Sequence, residues 1–405
     1  MDKIEDFRNA RDTLKNVLLK TNLVYSESFS RSTGNHIYLK PENMQLTGSF
    51  KIRGAYYKIS KLSREQRAKG LITSSAGNHA QGVAYGAQLK KAAATIIMPS
   101  TTPLVKVNNT KSYGANVVLH GDCYDAAYDH AMALAKSEGY EFIHPFNDLD
   151  VATGQGTIAY EILRDLPDTD IILVPIGGGG LAAGVATLVK LLNPNVKVIG
   201  VEPKGAACMR AALQNKEVVS LPHVDTIADG VAVKTPGDII FPYIQKHLDD
   251  IILIDDRELI DAFLDMMESH KMIVENAGLL AAAALRHLPV QNKNIVPILS
   301  GGNMDVITIS SLVQHGLINR GRIFTFSVLL PDRPGELARV AGVVAQVRGN
   351  IIKLKHNQFV NINRNAAVEL NVTLEAFGHE HKNTILKTLK DEGYEPKVEA
   401  PTSIY

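Results

Sequence analysis

Short runs that are apolar at nearly every position recur along the chain, separated by longer stretches whose apolar residues return at helical spacing. ATIIMP at 94–99, NVVLH at 116–120, IILVPI at 171–176, VKVIGVEP at 196–203, DIILID at 250–255 and NIVPILS at 294–300 are such runs. Their richness in β-branched residues predicts strands. A strand apolar on both faces must be covered on both, so the rhythm predicts an α/β fold, a mainly parallel sheet with helices packed on each side. Ligands of such sheets sit at the C-terminal ends of the strands.

The pattern changes near His315. HGLINRGR has the polar and glycine residues of a connection, which places a domain edge around 320–324: a first domain over 1–320 and a compact tail over 325–405. In the tail IFTFSVLL reads as a strand, GELARVAGVVAQV as a helix, NIIKLKHNQF and AAVELNVTLEA as strands, KNTILKTLKDEG as a helix and YEPKVE as a short last strand. The order βαββαβ is that of an α+β split-βαβ sandwich, an antiparallel sheet with helices on one face.

Composition narrows the possible partners. The 405 residues carry 43 Lys and Arg against 42 Asp and Glu, so no net field favours nucleic acid, anionic lipid or an acidic protein. The two cysteines, Cys123 and Cys208, lie far apart and lack metal-ligand spacing, which fits a reducing compartment and excludes a disulfide framework. The N-terminus alternates charged and apolar residues, unlike a signal peptide, and no apolar run reaches the roughly 18 residues needed to span a bilayer. A cytoplasmic protein without membrane association is expected.

Four segments carry candidate chemistry. In KPENMQLTGSFKIRGA, residues 40–55, turn formers precede what reads as a starting helix. Lys51 would then sit where the positive end of the helix dipole and partial burial disfavour its ammonium, as a lysine that forms a Schiff base requires, with Phe50 as apolar cover. ITSSAGNHAQGVAYG, residues 72–86, reads as a strand end, a tight turn and a helix start, exposing backbone N–H groups to an anion such as a carboxylate; a helix cap by Ser75 or Asn78 is the alternative. PIGGGGLAAG, residues 175–184, places four glycines between a strand and a helix, a phosphate cradle. It does not match GxxxxGK[ST], whereas a dinucleotide site stays open because Glu202 lies near the distance of that fold's acidic residue. In NIVPILSGGNMD, residues 294–305, Ser300 ends a strand, where its hydroxyl could face a ring nitrogen or the next helix's backbone.

Together these segments resemble the fold-type II pyridoxal-phosphate enzymes, and within them most closely the threonine dehydratases, relatives of the serine dehydratases and serine racemases. MPSTTPLVKVNNTKSYGANVVLHG and HPFNDLDVATGQGTIAYEI add to the likeness, which covers nearly all of residues 5–320. The resemblance implies two α/β lobes, the smaller at about 48–148 inserted in the larger, and pyridoxal 5'-phosphate as cofactor. It implies Lys51 as the Schiff-base lysine and agent of proton transfer, Phe50 beside the ring, and Asn78 at the cofactor's 3-hydroxyl oxygen. Ser75, Ala76, Gly77 and His79 would shape the substrate carboxylate pocket; Gly177, Gly178, Gly179, Gly180 and Leu181 would hold the phosphate; Ser300 would bond the pyridine nitrogen. A serine there, in place of a carboxylate, leaves the ring neutral and favours β-elimination over transamination. The implied reaction converts threonine to 2-oxobutanoate, and serine to pyruvate, with release of ammonia.

Ala76 stands where serine racemases carry an acid/base serine, which disfavours racemisation. Glu202 matches a residue through which those relatives bind a divalent cation, but Cys208 stands at the later acidic position, so no metal site is assigned beyond Glu202 as a candidate. VENAGLLAAAAL, with Glu275, resembles the segment that passes beside the cofactor, with Asn276 where many relatives have proline. The tail, through LLPDRPGELARVAGVVAQVRGNII, resembles an ACT domain. Asp332, Arg333, Pro334 and Gly335 form the turn after its first strand, and Asn350 and Ile351 open the second. In that family such turns bind an amino-acid effector between paired domains, which implies a homodimer or homotetramer and, by pathway logic, isoleucine first and valine next. The competing readings are a serine or 3-hydroxyaspartate dehydratase, a β-replacement enzyme such as a cysteine synthase, and a non-catalytic amino-acid sensor.

Overall fold

A computed structural model describes residues 1–357 and 368–399. Two compact units make up the chain, Met1–Asp305 and Val306–Tyr405. Fourteen strands occur among the described residues: β1 Val24–Tyr25, β2 His36–Leu39, β3 Leu71–Ser74, β4 Ala94–Met98, β5 Asn116–Leu119, β6 Glu141–Phe142, β7 Ile171–Pro175, β8 Lys197–Pro203, β9 Asp250–Ile254, β10 Asn294–Pro297, β11 Ile323–Leu330, β12 Asn350–Asn357, β13 Val368–Glu375 and β14 Lys397–Val398. All six apolar runs singled out in the sequence are strands.

The first unit contains two sheets. The larger has the order β1-β2-β10-β7-β8-β9, parallel except for the antiparallel edge strand β1. Every residue of β7 is buried, as a central strand covered on both faces requires. One core of this sheet gathers Ile172, Val174, Val198 and Val296 with the helix Gly180–Leu192. The smaller sheet, β5-β4-β3-β6, is wholly parallel and packs Leu71, Ile96 and Met98 against Ala80, Val83 and Ala84 of the helix Asn78–Leu89. Its strands run from Leu71 to Phe142. Local signals fix several helix ends. Asp148 accepts the N–H groups of Asp150 and Val151 to start the helix Leu149–Gly156, and Ser63 with Gln66 forms a capping box on Arg64–Lys69.

In the second unit the antiparallel sheet β12-β13-β11-β14 carries the helices Glu336–Gln346 and His379–Asp391. Phe324, Phe326, Val328 and Leu330 alternate along β11 and pack on Val340, Val344, Ile385 and Leu389, giving the βαββαβ order expected of the tail. Residues 358–359 of the expected second strand and 366–367 of the third lie outside the described residues. The structure differs from the sequence reading at the join. The segment beginning at His315 is not a connection but the end of the helix Val306–Asn319, and that helix groups with the second unit, which begins at Val306 rather than around 320. Glycine at position 316 is tolerated in a helix at a cost of about 1 kcal/mol, which is why composition misplaced the boundary.

Candidate functional site

Three strand ends and three helix starts converge in the first unit. β3 leads into Ser75–Asn78, β7 into Gly177–Gly180 and β10 into Ser300, while the helices Lys51–Lys61, Asn78–Leu89 and Gly180–Leu192 begin beside them. Lys51 opens its helix, half-buried, with Nζ donating to the carbonyl oxygen of Pro145 at 3.0 Å and standing 5.3 Å from the centre of the Phe50 ring. Burial lowers its pKa to about 8, against the opposing pull of Glu275. A fraction of the amine is therefore uncharged near neutral pH.

The segment before Lys51 is sewn to the segment after β10. Ser49 and Gly301 form an isolated antiparallel bridge, the Phe50 N–H donates to the Ser300 carbonyl at 3.1 Å, and the Gly302 N–H donates to the Gly48 carbonyl at 2.8 Å. Ser300 itself is 4% exposed. From this seam a side-chain chain runs across the cleft. Asn303 Nδ2 donates to the Thr47 carbonyl and to Asn78 Oδ1, both at 2.7 Å, and Asn78 Nδ2 donates to Glu275 Oε1 at 2.5 Å. Glu275 is 7% exposed; burial, then the neighbouring Asp229, push its carboxyl up to about 7, while the bond from Asn78 and the cations Lys106 and Lys51 oppose the rise.

Packing makes the four glycines obligatory. A Cβ on Gly178 would stand 2.3 Å from the Phe146 ring, one on Gly180 2.7 Å from the Phe146 carbonyl, and one on Gly177 2.9 Å from Val231 Cα. Gly179 adds a φ of +102°, which L side chains rarely adopt, directly before the helix Gly180–Leu192. Phe146 follows Pro145, the residue that accepts from Lys51, so two consecutive residues bridge the lysine to the glycine loop.

Glycines also set the spacing of the supporting helices. A Cβ on Gly54 would meet the Val151 carbonyl at 2.5 Å, one on Gly154 the Arg53 carbonyl at 2.7 Å, and one on Gly184 the Ala152 carbonyl at 2.0 Å. Backbone therefore touches backbone from the Lys51 helix through Leu149–Gly156 to the helix behind the glycine loop. Two residues after Lys51, Arg53 is fully buried between two carboxylates: Nε and Nη2 donate to Glu42 at 2.7 and 2.8 Å, Nη1 and Nη2 to Glu161 at 2.7 and 3.0 Å. Burial opposes the guanidinium charge, but the two acids overcome it and raise its pKa. Buried Lys40 bonds to Thr21 Oγ1 at 2.8 Å and to Glu161, completing a cluster of two cations and two anions.

The remaining sequence candidates are placed as follows. Ser75 Oγ accepts the Gly77 N–H at 3.3 Å, and beyond Gly77 a Cβ would find nothing within 4 Å, so the Ser75–Ala76–Gly77 turn borders open space. His79, 2% exposed, donates from Nε2 to the Ile143 carbonyl at 2.9 Å and leaves Nδ1 without a partner among the described residues. Burial, with the Lys51 charge next, drives its pKa down to about 3. Leu181 is buried behind the loop. The two oxygens of Glu202 accept the Met209 and Arg210 N–H groups at 2.8 and 2.9 Å, holding the start of the helix Cys208–Asn215. That use accounts for its place after the glycine loop without a dinucleotide, and the described residues contain no group of three His, Cys, Asp or Glu able to hold a metal. In the second unit Gly335, at φ +95°, precedes the helix Glu336–Gln346, Asp332 is exposed in the same turn, Asn350 Nδ2 donates to Glu375 at 2.7 Å, and Ile351 packs on the core.

Sequence reading did not find Asn303, Phe146 or the Arg53 cluster. KPE at 40–42, charges directly after an apolar strand, was the available signal for the last. The donor set fits a ligand with an anionic arm, a carbonyl and an aromatic ring: a cradle with no room for a Cβ, an amine made less basic by burial, an aromatic neighbour and a buried hydroxyl at a strand end. Pyridoxal 5'-phosphate has those three parts.

Comparison with known proteins agrees with this geometry. A family model described as "Pyridoxal-phosphate dependent enzyme" matches residues 14–301. The chain is 42% identical over 399 residues to an L-threonine ammonia-lyase of Thermotoga maritima, covering 98% of this chain and 100% of that protein. It is 43% identical over 389 residues to an L-threonine ammonia-lyase of Geobacter sulfurreducens, covering 96% and 97%. The solved structure of the processed form of threonine deaminase isoform 2 from Solanum lycopersicum superposes with a TM-score of 0.74 at 42% identity, covering 78% of this chain and 94% of that one. No helix among the described residues is long and apolar enough to cross a membrane. With its lysine, glycine cradle and two mainly parallel sheets in this arrangement, the chain belongs to the pyridoxal-phosphate dependent enzymes.

Proposed function

We propose that this protein is a threonine ammonia-lyase of the cytoplasm, which takes L-threonine to 2-oxobutanoate and ammonia and also accepts L-serine, giving pyruvate. The observation that carries the reading is the Lys51 amine, half-buried, partly neutral and joined through Pro145 and Phe146 to the glycine loop. The names of full-length relatives at 42–43% identity supply the substrate.

Bound pyridoxal 5'-phosphate supplies the electron withdrawal that makes the substrate Cα–H acidic. The chain's own residues do the rest. Gly177, Gly178, Gly179, Gly180 and Leu181 offer backbone N–H groups, reinforced by the dipole of the helix Gly180–Leu192, to an anionic arm. Phe50 would cover one side of the cofactor ring, Asn78 would hydrogen-bond its oxygen and Ser300 its nitrogen. Ser75, Ala76, Gly77 and His79 enclose the substrate carboxylate. Lys51 takes the Cα proton, and the β-hydroxyl leaves as water; the released enamine then tautomerises and takes a water back as ammonia departs, so the net change is loss of ammonia alone. Purified protein should show a visible absorption band and form 2-oxobutanoate from threonine faster than pyruvate from serine. Absence of the band, or exclusive turnover of serine or of 3-hydroxyaspartate, overturns the assignment.

The tail, in the same reading, is an ACT domain that binds an amino-acid effector through Asp332, Gly335, Asn350 and Ile351 when two copies pair in a homodimer or homotetramer. The βαββαβ order and antiparallel sheet of the second unit support it. Isoleucine, with valine as comparison, should change the velocity, and light scattering should return at least a dimer. An unresponsive enzyme would leave the tail with an architectural role only.

A further inference from the structure

The side-chain amide of Asn78 is held at both ends, and the logic of donors and acceptors fixes which end is which. The Thr47 carbonyl can only accept, so the Asn303 atom 2.7 Å from it is Nδ2. That N–H group can only donate, so Asn78 turns Oδ1 toward it. The opposite end of Asn78 is then the NH2, donating to Glu275 Oε1 at 2.5 Å. Rotating the amide by half a turn would set its carbonyl against a carboxylate and its NH2 against another NH2. Two glycines leave the space: a Cβ on Gly48 would meet Asn303 Oδ1 at 2.4 Å, and one on Gly301 would meet Glu275 Oε1 at 2.3 Å. The chain of bonds thus begins just before Lys51 and passes beside Ser300.

We propose that Glu275, together with Asn303, is a positioning residue that fixes the Asn78 amide in one of its two orientations, so that Asn78 always presents an N–H to the cofactor's ring oxygen. One N–H of the amide is used by Glu275 and the second is left for that oxygen. The proposal rests on the reading that Asn78 contacts the cofactor, and it adds the reason an acidic residue is buried there. Groups facing Glu275 from the packed elements are Asp229 of the turn Asp229–Val231, Lys106 of the helix Leu104–Ser112 and Lys51. Because Glu275 retains an acceptor oxygen whether or not it is protonated, the orientation persists through neutral pH.

The test compares the full-length holoenzyme with Asn78→Ala, Glu275→Leu, Glu275→Gln, Asn303→Ala and the double variant Asn78→Ala/Glu275→Leu, reading the dissociation constant for pyridoxal 5'-phosphate, the position and pH dependence of the visible band, and kcat and KM for threonine. Glu275→Leu should displace the band and weaken cofactor binding by about tenfold or more, as loss of a charge-assisted bond implies. Glu275→Gln, which keeps an acceptor, should restore the band with affinity within about threefold of the parent. The double variant should be no worse than Asn78→Ala, since both act through one amide. If Asn78→Ala displaces the band and Glu275→Leu does not, the positioning role is wrong while the Asn78 contact stands. If Asn78→Ala itself changes neither band nor affinity, the contact fails and the proposal with it. Should Glu275→Leu not fold, Asn303→Ala decides: a displaced band supports the proposal and an unmoved one overturns it.

Discussion

The backbone N–H of Phe50 donates to the carbonyl oxygen of Ser300 at 3.1 Å, so the residue before Lys51 and the residue that ends the β10 segment are fixed to each other although 250 positions separate them. Neither can shift without the other. The Gly301 backbone lies between this bond and the Asn78–Glu275 pair. Gly301→Ala places a methyl 2.3 Å from Glu275 Oε1 and 2.9 Å from Asn78 Nδ2, an overpacking that costs about 1–3 kcal/mol. Denaturant unfolding should report that loss, and cofactor titration should show weaker binding at the same time.

Lys51 should load with cofactor in a pH-dependent way. With its pKa lowered to about 8, roughly a tenth of the amine is neutral at pH 7, against a few parts in ten thousand for an ordinary lysine. The rate at which stripped enzyme recaptures pyridoxal phosphate should therefore rise with pH and level off above about 8. A profile still climbing at pH 10 would contradict the burial argument. Lys51→Ala should lose the visible band and all formation of 2-oxobutanoate.

His79 is a source of acid lability. It is kept neutral when folded, with its pKa lowered to about 3 by burial, whereas the unfolded chain protonates it near 6.5. Below 6.5 the unfolded state binds the extra proton, so stability falls as pH falls through that window, by about 1.4 kcal/mol per pH unit. His144, lowered to about 4 first by burial, acts in the same direction. Urea midpoints measured from pH 7 to pH 4 should decline, and less steeply in His79→Gln, whose side chain can still donate to Ile143.

The glycine loop offers a paired comparison. Gly178→Ala drives a methyl to 2.3 Å from the Phe146 ring and must open the cradle, so cofactor affinity should drop by about tenfold or more, equivalent to at least 1.4 kcal/mol. Gly77→Ala meets nothing within 4 Å and should leave cofactor affinity within about threefold while raising KM for threonine, because the methyl enters the substrate side of the cleft. Equal effects of the two changes on cofactor binding would contradict the division of roles.

Strands buried on both faces announce themselves as unbroken apolar runs, and for that reason β4, β7, β8 and β10 were legible along with the motifs that follow some of them, while the edge strands β5 and β9 were legible from apolar runs that the fold leaves partly exposed. β1 and β6 contain two residues each, too few for any period, and their pairing is imposed by neighbours. Lys51, Asn78, Ser300 and the glycines were identifiable because each sits in a compact local pattern. The Phe50–Ser300 bond and the Thr47–Asn303–Asn78–Glu275 chain were not, because they join segments remote in sequence through backbone atoms and amides that leave no periodic trace. The join between units was misjudged where Gly316 interrupts a helix without ending it.

The Arg53 cluster constrains how this sequence can drift. Arg53, Lys40 and Glu42 are buried and Glu161 is partly exposed beside them, so removing one of the buried members strands an opposite charge, a loss of about 3–5 kcal/mol in comparable buried pairs. Four apolar residues of matching volume could replace the set together, yet no one-residue step leads there without passing through a poorly folded intermediate. A change at any one of the four positions therefore asks for a compensating change at another, a constraint that begins two residues after Lys51.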